Sequence, residues 1–570
     1  MRREPANNSP VGRYRFPLSY VAAASLLTLE QEYRARWEEP AHQAAEGMAR
    51  ALLARDSMLV RGCAMDLTWP TDRTPRVHQK RALAALHAVN YRQLVTDEMG
   101  VGKSPLALWA FWDVYNRHAT GPHSKWAQRM LILCPAPVKR KWVREVTATL
   151  GMTAVMIDGP AKKRGDQFVE LRDATVCVMN YDLLRFLSEA QREQLHQWVY
   201  DQFAVYDESH YLRNHYSGRS KFVAEFKPRY LLELTGTPIE NQVDDLYHQL
   251  ILLQPGLWRN EWEFESRYLE TFMLKVGGGK KKATKKKIAR TKNLDELSRV
   301  QTCYSFGRKL CDVTDLPPVQ EIEIPLVLDA PARKFYKQLR DWWLLEFEDT
   351  PDDNVFSPRV KSSLEAAQRL LQVAESFIGG VPEPLLPMVA QQSKYWEKIP
   401  HRPNELFAPK GVKASWLMET VENLWKQDRR SVVFCPYNAP LFWFKDHWGD
   451  DARLLHGALS SAAKDEIIDT FLQGSGRVLL AQLRMAIGWD AYTVQDCIFY
   501  GWMWEPAKNR QAVGRLHRIG QKGTVNVYHP FVVDTLEERV REALAAKEGD
   551  AEKALAHWSF ADLREAVSST

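Results

Sequence analysis

The stretch TDEMGVGKSPLALW, Thr96–Trp109, follows a short strand pattern (Arg92–Val95), turns on two glycines and runs into a helical pattern. A phosphate-binding loop of the form G-x-x-x-x-G-K-[ST] would carry Gly where this chain has Asp97. The physical requirement is looser than that pattern. Backbone N–H groups must form a nest facing the phosphates, a lysine must reach the terminal ones, and a hydroxyl must hold Mg²⁺. Gly100 and Gly102 permit the tight turn, and Lys103 and Ser104 supply charge and hydroxyl. The helix that follows adds its positive end, and Pro105 is tolerated in a first turn that has no use for its missing donor. Taken alone, the segment fits a phosphate loop and an ordinary Gly-rich strand-to-helix turn equally.

Working outward, apolar runs alternate with helical stretches from Arg76 to about Pro255: RQLVTDE, RMLILCP, ATVCVMNY, QFAVYDES and YLLELTGTP. Each run ends in a polar turn followed by a helix-like segment, the pattern of a parallel sheet built from βαβ units. A second alternating block begins near Lys413, with RSVVFCPY, ARLLHG, GRVLLAQ, DCIFYG and TVNVYHPFV as its strands. Between them, VQEIEIPLVL reads as a strand leading into helical patterns and a Pro-rich stretch.

QFAVYDESHYLRN, Gln202–Asn214, adds the second half of a site. An apolar strand ends in adjacent carboxylates, Asp207 and Glu208, with His210 two residues on. A carboxylate at the end of a buried strand, in the same domain as a phosphate loop, is placed to hold Mg²⁺, and its neighbour to orient or deprotonate an attacking water. A strand-end acidic turn is common in α/β proteins. Its coincidence with the upstream loop favours an NTPase.

Composition sets wider bounds. The 570 residues suit about three or four domain-sized units. A hydrophobic fraction of 45% with 26% charged residues is globular, and the net charge of +6 permits a basic groove without requiring one. None of the seven cysteines forms a C-x-x-C pair, and most sit in apolar runs, which reads as buried free thiols in a reducing compartment. No apolar run approaches the roughly 20 residues that span a bilayer. VAAASLLTL passes at once into LEQEYRARWEEP without a cleavage site, so the N-terminus reads as a cytosolic amphipathic helix. KVGGGKKKATKKKIARTK, Lys275–Lys292, carries nine basic residues and no acid. It reads as a solvated, mobile loop, compatible with a phosphate-contacting arm.

The set of motifs resembles the Swi/Snf type of superfamily-two helicase-like ATPase. DEMGVGKS resembles the family's first motif, DESHYLRN its second and LTGTPIEN (Leu234–Asn241) its third. LHGALSS resembles the fourth, and WEPAKNRQAVGRLHRIGQ (Trp504–Gln521) the sixth, with DTLEERV in the segment that follows. TPRVHQKRAL resembles the adenine-reading element, LILCPAPVKRKW and VMNYDLL the DNA-strand-contacting motifs, and YSFGRKLCDVTDLPP the inter-lobe linker, with Arg308 near its basic position. These matches keep the family's order from Thr74 to about Val540.

The resemblance implies an α/β fold of two RecA-like parallel-sheet lobes with a helical middle region of protrusions and an N-terminal helical extension. The expected divisions are an extension over 1–70, lobe one over 71–255, linker and protrusions over 256–410, lobe two over 411–540 and a helical tail over 541–570. ATP and Mg²⁺ are the implied cofactors. Gln79 would read adenine, Gly100, Gly102 and Lys103 would hold phosphates, and Ser104 with Asp207 would hold Mg²⁺. Glu208 would activate water. Arg515 and Arg518, with Gln511, would serve the leaving γ-phosphate, while His210, Thr235 and Thr237 would couple the site to lobe movement. Lys139, Lys141, Trp142, Tyr181, Lys280, Lys281 and Lys282 are the candidate DNA contacts, Trp142 reading equally as a core residue.

One stretch departs from the family. In the fifth motif, AQLRMAIGWDA (Ala481–Ala491), Gly488 keeps its place and its nucleotide role, but Asp490 stands where asparagine is usual, and Met485 and Ala486 where glycines are. The implied partner is double-stranded or branched DNA, met by a monomer in a bacterial or virus-infected cytoplasm. Replication, recombination or repair is the implied setting, through fork remodelling or branch migration. An RNA-directed motor and a restriction-linked translocase are the alternatives.

Overall fold

The computed structural model describes residues 2–3, 14–15, 39–61, 68–118, 128–239, 242–276, 283–330, 332–334, 336–337, 370–379, 397–399, 402–486, 489–503 and 506–541. They fall into two compact units that divide between Val313 and Thr314.

In the first unit, the strands β1 (Arg92–Val95), β2 (Met130–Cys134), β3 (Ala154–Met156), β4 (Val176–Asn180), β5 (Phe203–Asp207) and β6 (Tyr230–Leu234) belong to one sheet. An antiparallel hairpin, β7 (Leu269–Val276) and β8 (Ala283–Thr291), stands apart from it. The two-residue strand β9 (Ser305–Phe306) then returns to the sheet edge. The sheet order is β9-β1-β6-β5-β2-β4-β3, and every pairing is parallel. Residues of β2, β4 and β6 are buried throughout, as the unbroken apolar runs of a sheet covered on both faces require. Register places the site. Val95 and Asp207 both pair with Leu234, so three strands end level and side by side. Their C-terminal turns are the glycine loop, the carboxylate pair and LTGTPIEN, at the sheet edge where α/β proteins bind ligands.

Helix α1 (Glu39–Arg61) confirms helical periodicity near the N-terminus. The helices that frame the site are α2 (Val77–Ala88), α3 (Lys103–His118), α4 (Lys139–Leu150) and α5 (Asp245–Leu253), and α6 (Leu294–Tyr304) leads into β9. Arg55 of α1 is buried and donates from Nη1 to the carbonyls of Thr302 (2.7 Å) and Ser305 (3.3 Å), satisfying acceptors that the end of α6 leaves open. Cys134, Cys177, Cys303, Cys435 and Cys497 are buried free thiols, and Cys311 is exposed and free; Cys63 lies outside the described residues.

One expectation is corrected. Lys275–Lys292 is not an irregular loop: most of it forms the end of β7 and all of β8, with Lys285 opposite Leu274 and Lys287 opposite Phe272. The apolar strand LETFML supplies the ladder that the lysine run alone does not suggest. Lys280, Lys281 and Lys282 lie outside the described residues. Among the described residues the middle region also holds strands. β10 (Val319–Leu326) joins the second unit's sheet, and β11 (Phe377–Gly379), β12 (Glu397–Ile399) and β13 (Arg402–Phe407) form a small antiparallel sheet.

The second unit's main sheet adds β14 (Ser431–Cys435), β15 (Ala452–Leu455), β16 (Val478–Gln482), β17 (Asp496–Phe499) and β18 (Val525–Val532) to β10. Its order is β10-β18-β17-β14-β16-β15, again wholly parallel. Among the described residues no helix is long and apolar enough to cross a membrane.

One core residue gives a stability prediction. Glu233 of β6 is 0% exposed. Burial pushes its carboxyl well above the usual range, against weaker opposing pulls from Ser209 and the Arg92 guanidinium. The folded chain therefore keeps a proton here that the unfolded chain releases near pH 4.3, about the ordinary glutamate value. Stability from this group is complete below that pH and declines as pH rises toward the folded value. Glu233→Gln should raise the melting temperature, and by more at pH 8 than at pH 5. Thermal melts of both proteins across that range would check it, and parallel pH profiles would refute it.

Candidate active site

The glycine loop is held from three sides. Gly100 and Gly102 have φ of 89° and 98°, the left-handed region that glycine adopts at no steric cost. A Cβ on Gly102 would stand 2.4 Å from Gln79 Nε2, whose amide donates to the Gly102 carbonyl at 3.2 Å. Gln79 Oε1 meanwhile accepts from the Arg76 N–H at 3.0 Å, so this side chain braces the loop against the start of α2. Lys103 Nζ donates back to the Asp97 carbonyl (2.6 Å) and the Glu98 carbonyl (3.2 Å). Beyond the end of β6, Gly236 brings LTGTPIEN alongside the loop: a Cβ there would lie 3.4 Å from Lys103 Nζ and from the Asp97 carbonyl.

The third side explains Asp97, the residue that breaks the strict loop pattern. Its carboxylate is 0% exposed and receives Arg308 through two guanidinium nitrogens, with Nε to Oδ1 at 3.0 Å and Nη2 to Oδ2. The Arg308 backbone N–H donates to the same Oδ1 at 3.0 Å, and Nη1 donates to the His78 carbonyl. Beside it, Glu98 N donates to the Arg308 carbonyl (3.0 Å), and Leu310 N to Glu98 Oε2 (2.6 Å). A loop glycine would leave Arg308 without this partner. Sequence reading did not find the role of Asp97.

Around Glu208 the expected coupling residues come together. Glu208 has φ 51° and ψ 54°, a left-handed conformation that costs a non-glycine residue about 1–2 kcal/mol. Its Oε2 lies 3.3 Å from His210 Nδ1 and accepts from Thr235 Oγ1 at 3.4 Å. His210 Nδ1 lies 3.0 Å from Thr235 Oγ1, which also accepts from the Thr237 N–H at 3.1 Å. Gln249 of α5 ties the two turns together. Ser209 Oγ donates to its Oε1 (2.9 Å), and its Nε2 donates to the Pro238 carbonyl (2.8 Å). Gln249 too was missed, although a buried glutamine in the apolar run DLYHQLILL is a readable signal.

Asp207 occupies a different environment. Burial, and then the neighbouring Glu208 charge, raise its carboxyl to about pH 7, against the Trp142 hydrogen bond and the Lys103 and Lys141 charges. Tyr181 was expected on the DNA track, and Trp142 either there or in the core; the structure buries both. Trp142 is 2% exposed and donates from Nε1 to Asp207 Oδ2 at 2.7 Å. Tyr181 is 1% exposed and donates from its hydroxyl to the Asp207 carbonyl at 2.8 Å. Neither ring is open to a base or a phosphate. Lys139 is likewise buried, its ammonium paired with Asp158, whereas Lys141 keeps partial exposure.

In the second unit the fifth and sixth motifs are bound to each other. Arg515 is buried and donates to the carbonyls of Ala486 (2.7 Å) and Trp489 (3.2 Å). Arg518 pairs with Asp490, and Arg515 Nη1 stands 3.6 Å from the same Oδ1. The residue that replaces the usual asparagine is thus a counter-ion for both arginines. Gln511 is buried in α7 (Pro506–Val513), and Gly488 lies outside the described residues.

Residues 78–376 match the SNF2-related domain, and residues 413–520 the helicase conserved C-terminal domain. The chain belongs to the SNF2-related family. Among relatives of this SNF2-related chain is the mouse SWI/SNF-related matrix-associated actin-dependent regulator of chromatin subfamily A member 1. It is 25% identical over 482 residues, covering 82% of this chain and 42% of its own length. An uncharacterized ATP-dependent helicase of Mycoplasma pneumoniae is 25% identical over 80% of this chain and 39% of its own length. The uncharacterized ATP-dependent helicase YqhH of Bacillus subtilis is 23% identical over 83% of this chain and 78% of its own length. The SNF2-related chain thus spans about two-fifths of the first two relatives. Among solved structures, the Sulfolobus solfataricus SWI2/SNF2 ATPase core in complex with dsDNA matches at 20% identity with a TM-score of 0.40. That match covers 87% of this chain and 97% of the other.

Proposed function

We propose that this SNF2-related chain hydrolyses ATP to move along double-stranded DNA, and that it serves replication, recombination or repair by remodelling forks or branched DNA. The observation that carries the reading is the level alignment of three strand ends, which gathers Lys103, Asp207, Glu208 and Thr235 at one edge of a parallel sheet.

The donor set suits the implied ligands. Lys103 is held on backbone carbonyls of its own loop, from which it can turn to the β- and γ-phosphates, and α3 begins at this residue with its positive end. Ser104 and Asp207 offer the hard oxygen donors that Mg²⁺ prefers, and a cation held there would offset the burial and Glu208 charge that raise the Asp207 carboxyl. Bound there, Mg²⁺ supplies charge neutralisation at the phosphoryl oxygens. Glu208 takes the proton of the attacking water, oriented by Thr235 and His210. Arg515 and Arg518, released from Asp490, give their planar forks to the charge that develops on the transferred phosphoryl group. Gln79, Gly100, Gly102 and Gly488 shape the nucleotide pocket, Gln511 serves the leaving γ-phosphate beside the two arginines, and Thr237 acts in coupling. Lys141 and the lysines of 280–287 are the DNA contacts of this reading.

The test is stimulation. Double-stranded DNA of any sequence should raise ATP turnover strongly, while RNA should not. Raising salt from about 50 to 200 mM should lower DNA affinity by orders of magnitude if several phosphates are neutralised. Equal stimulation by single-stranded RNA would replace this reading with that of an RNA motor. Forked, Holliday-type and linear duplexes compared as activators would separate the biological settings.

A further inference from the structure

We propose that Trp142 and Tyr181 are positioning residues for Asp207, fixing its carboxylate and its backbone so that the chain meets Mg²⁺ with a pre-oriented ligand. The inference rests on the reading of Asp207 as the Mg²⁺ ligand.

Four contacts fix this one residue. Oδ2 accepts from the Trp142 indole N–H at 2.7 Å, and Oδ1 accepts from the Glu208 backbone N–H at 3.1 Å. Those two bonds together set the plane of the carboxylate, leaving each oxygen a further lone pair. The Asp207 carbonyl accepts from Tyr181 Oη at 2.8 Å, and the residue stands opposite Leu234 in the pairing of β5 with β6. Tyr181 also stacks on Tyr211, with centroids 5.9 Å apart and planes at 13°, so its hydroxyl is held in direction. Both aromatic residues come from outside β5. Trp142 rises from α4, and Tyr181 follows the end of β4. A carboxylate free to rotate must lose that freedom on binding a cation, and one already fixed by outer hydrogen bonds does not. Removing such outer partners costs metal affinity about 10–100-fold in metal sites generally.

The test uses the full chain and a fluorescent ATP analogue, titrated once in EDTA and once with increasing Mg²⁺. Trp142→Phe keeps a buried ring and removes the N–H; Tyr181→Phe removes a single oxygen. Nucleotide affinity in EDTA should stay at the wild-type value for both. The Mg²⁺ concentration needed to tighten binding should rise about tenfold or more for Trp142→Phe, and in the same direction by less for Tyr181→Phe. Asp207→Asn is the control for the underlying reading. If it keeps the full Mg²⁺ effect, Asp207 is not the ligand. If it loses the effect while Trp142→Phe keeps the wild-type Mg²⁺ midpoint, the positioning role is overturned and the site reading stands. An equal loss of affinity in EDTA would also overturn it, since that is the mark of packing alone. Should Trp142→Phe fail to fold, Tyr181→Phe decides, and an unchanged midpoint refutes the proposal.

Discussion

Glu208→Gln is expected to lower ATP turnover by a factor on the order of 10² or more while nucleotide remains bound. Glutamine keeps the length of the side chain, and its amide oxygen can still accept from Thr235 Oγ1, which stands 3.4 Å from Glu208 Oε2. What it loses is the capacity to take a proton. The backbone gives the substitution its sharpness. Glu208 sits in a left-handed turn next to Asp207, and both Thr235 and His210 converge on its carboxylate from the neighbouring turn and from two residues on. Two side chains thus define where that oxygen points, so a variant with unaltered geometry and little turnover isolates the chemistry. Lys103 and Asp207 are untouched, which predicts near wild-type binding of a fluorescent ATP analogue. Phosphate-release kinetics and equilibrium titration on the same sample make the check. Near-normal release would remove Glu208 as the base.

How far the sequence reaches is clearest at residues where reading and structure part. The lobes were legible because unbroken apolar runs such as MLILC and VCVMN have few ways to be buried other than as central parallel strands. The turns of the candidate site were legible because each follows such a strand directly. Trp142 read equally as a DNA contact and as core, although the helix pattern held the answer. With Val146, Thr149 and Leu150 it occupies the buried stripe of α4, at helical spacings of four, seven and eight. The motif allowed a DNA contact and the core alike, and the buried stripe decides for the core. The lysine-rich segment failed for the opposite reason. ATKKKIART has weak strand character of its own and becomes a strand through its partner LETFMLKV. The Asp490 substitution was visible, but its consequence was not, since its two arginine partners lie 25 and 28 residues further along the chain.

Arg308→Met should destabilise the first unit by about 3–5 kcal/mol, the cost of leaving a buried charge without its partner. Asp97 is fully buried, and Arg308 supplies it with two guanidinium contacts and a backbone N–H from 211 residues away. No local pattern could announce this pair, yet it closes the phosphate loop against the segment that ends the unit. A long-range bond of this kind also fixes what lies between. Thr96 N donates to the Phe306 carbonyl at 2.8 Å, and the Asp97 and Glu98 carbonyls that hold Lys103 are set by the same two strands. Loosening Arg308 should therefore weaken nucleotide binding as well as stability, although Arg308 touches no residue assigned to the phosphates other than through this loop. Adding Asp97→Asn to Arg308→Met removes the stranded charge and should recover part of the loss. The double-mutant cycle would then show a coupling of at least about 1 kcal/mol, as expected for groups in direct contact. Urea unfolding of the four proteins, followed by fluorescence, measures the cycle. Additive effects would mean that Asp97 and Arg308 act independently, and that the departure from glycine at this position has another cause.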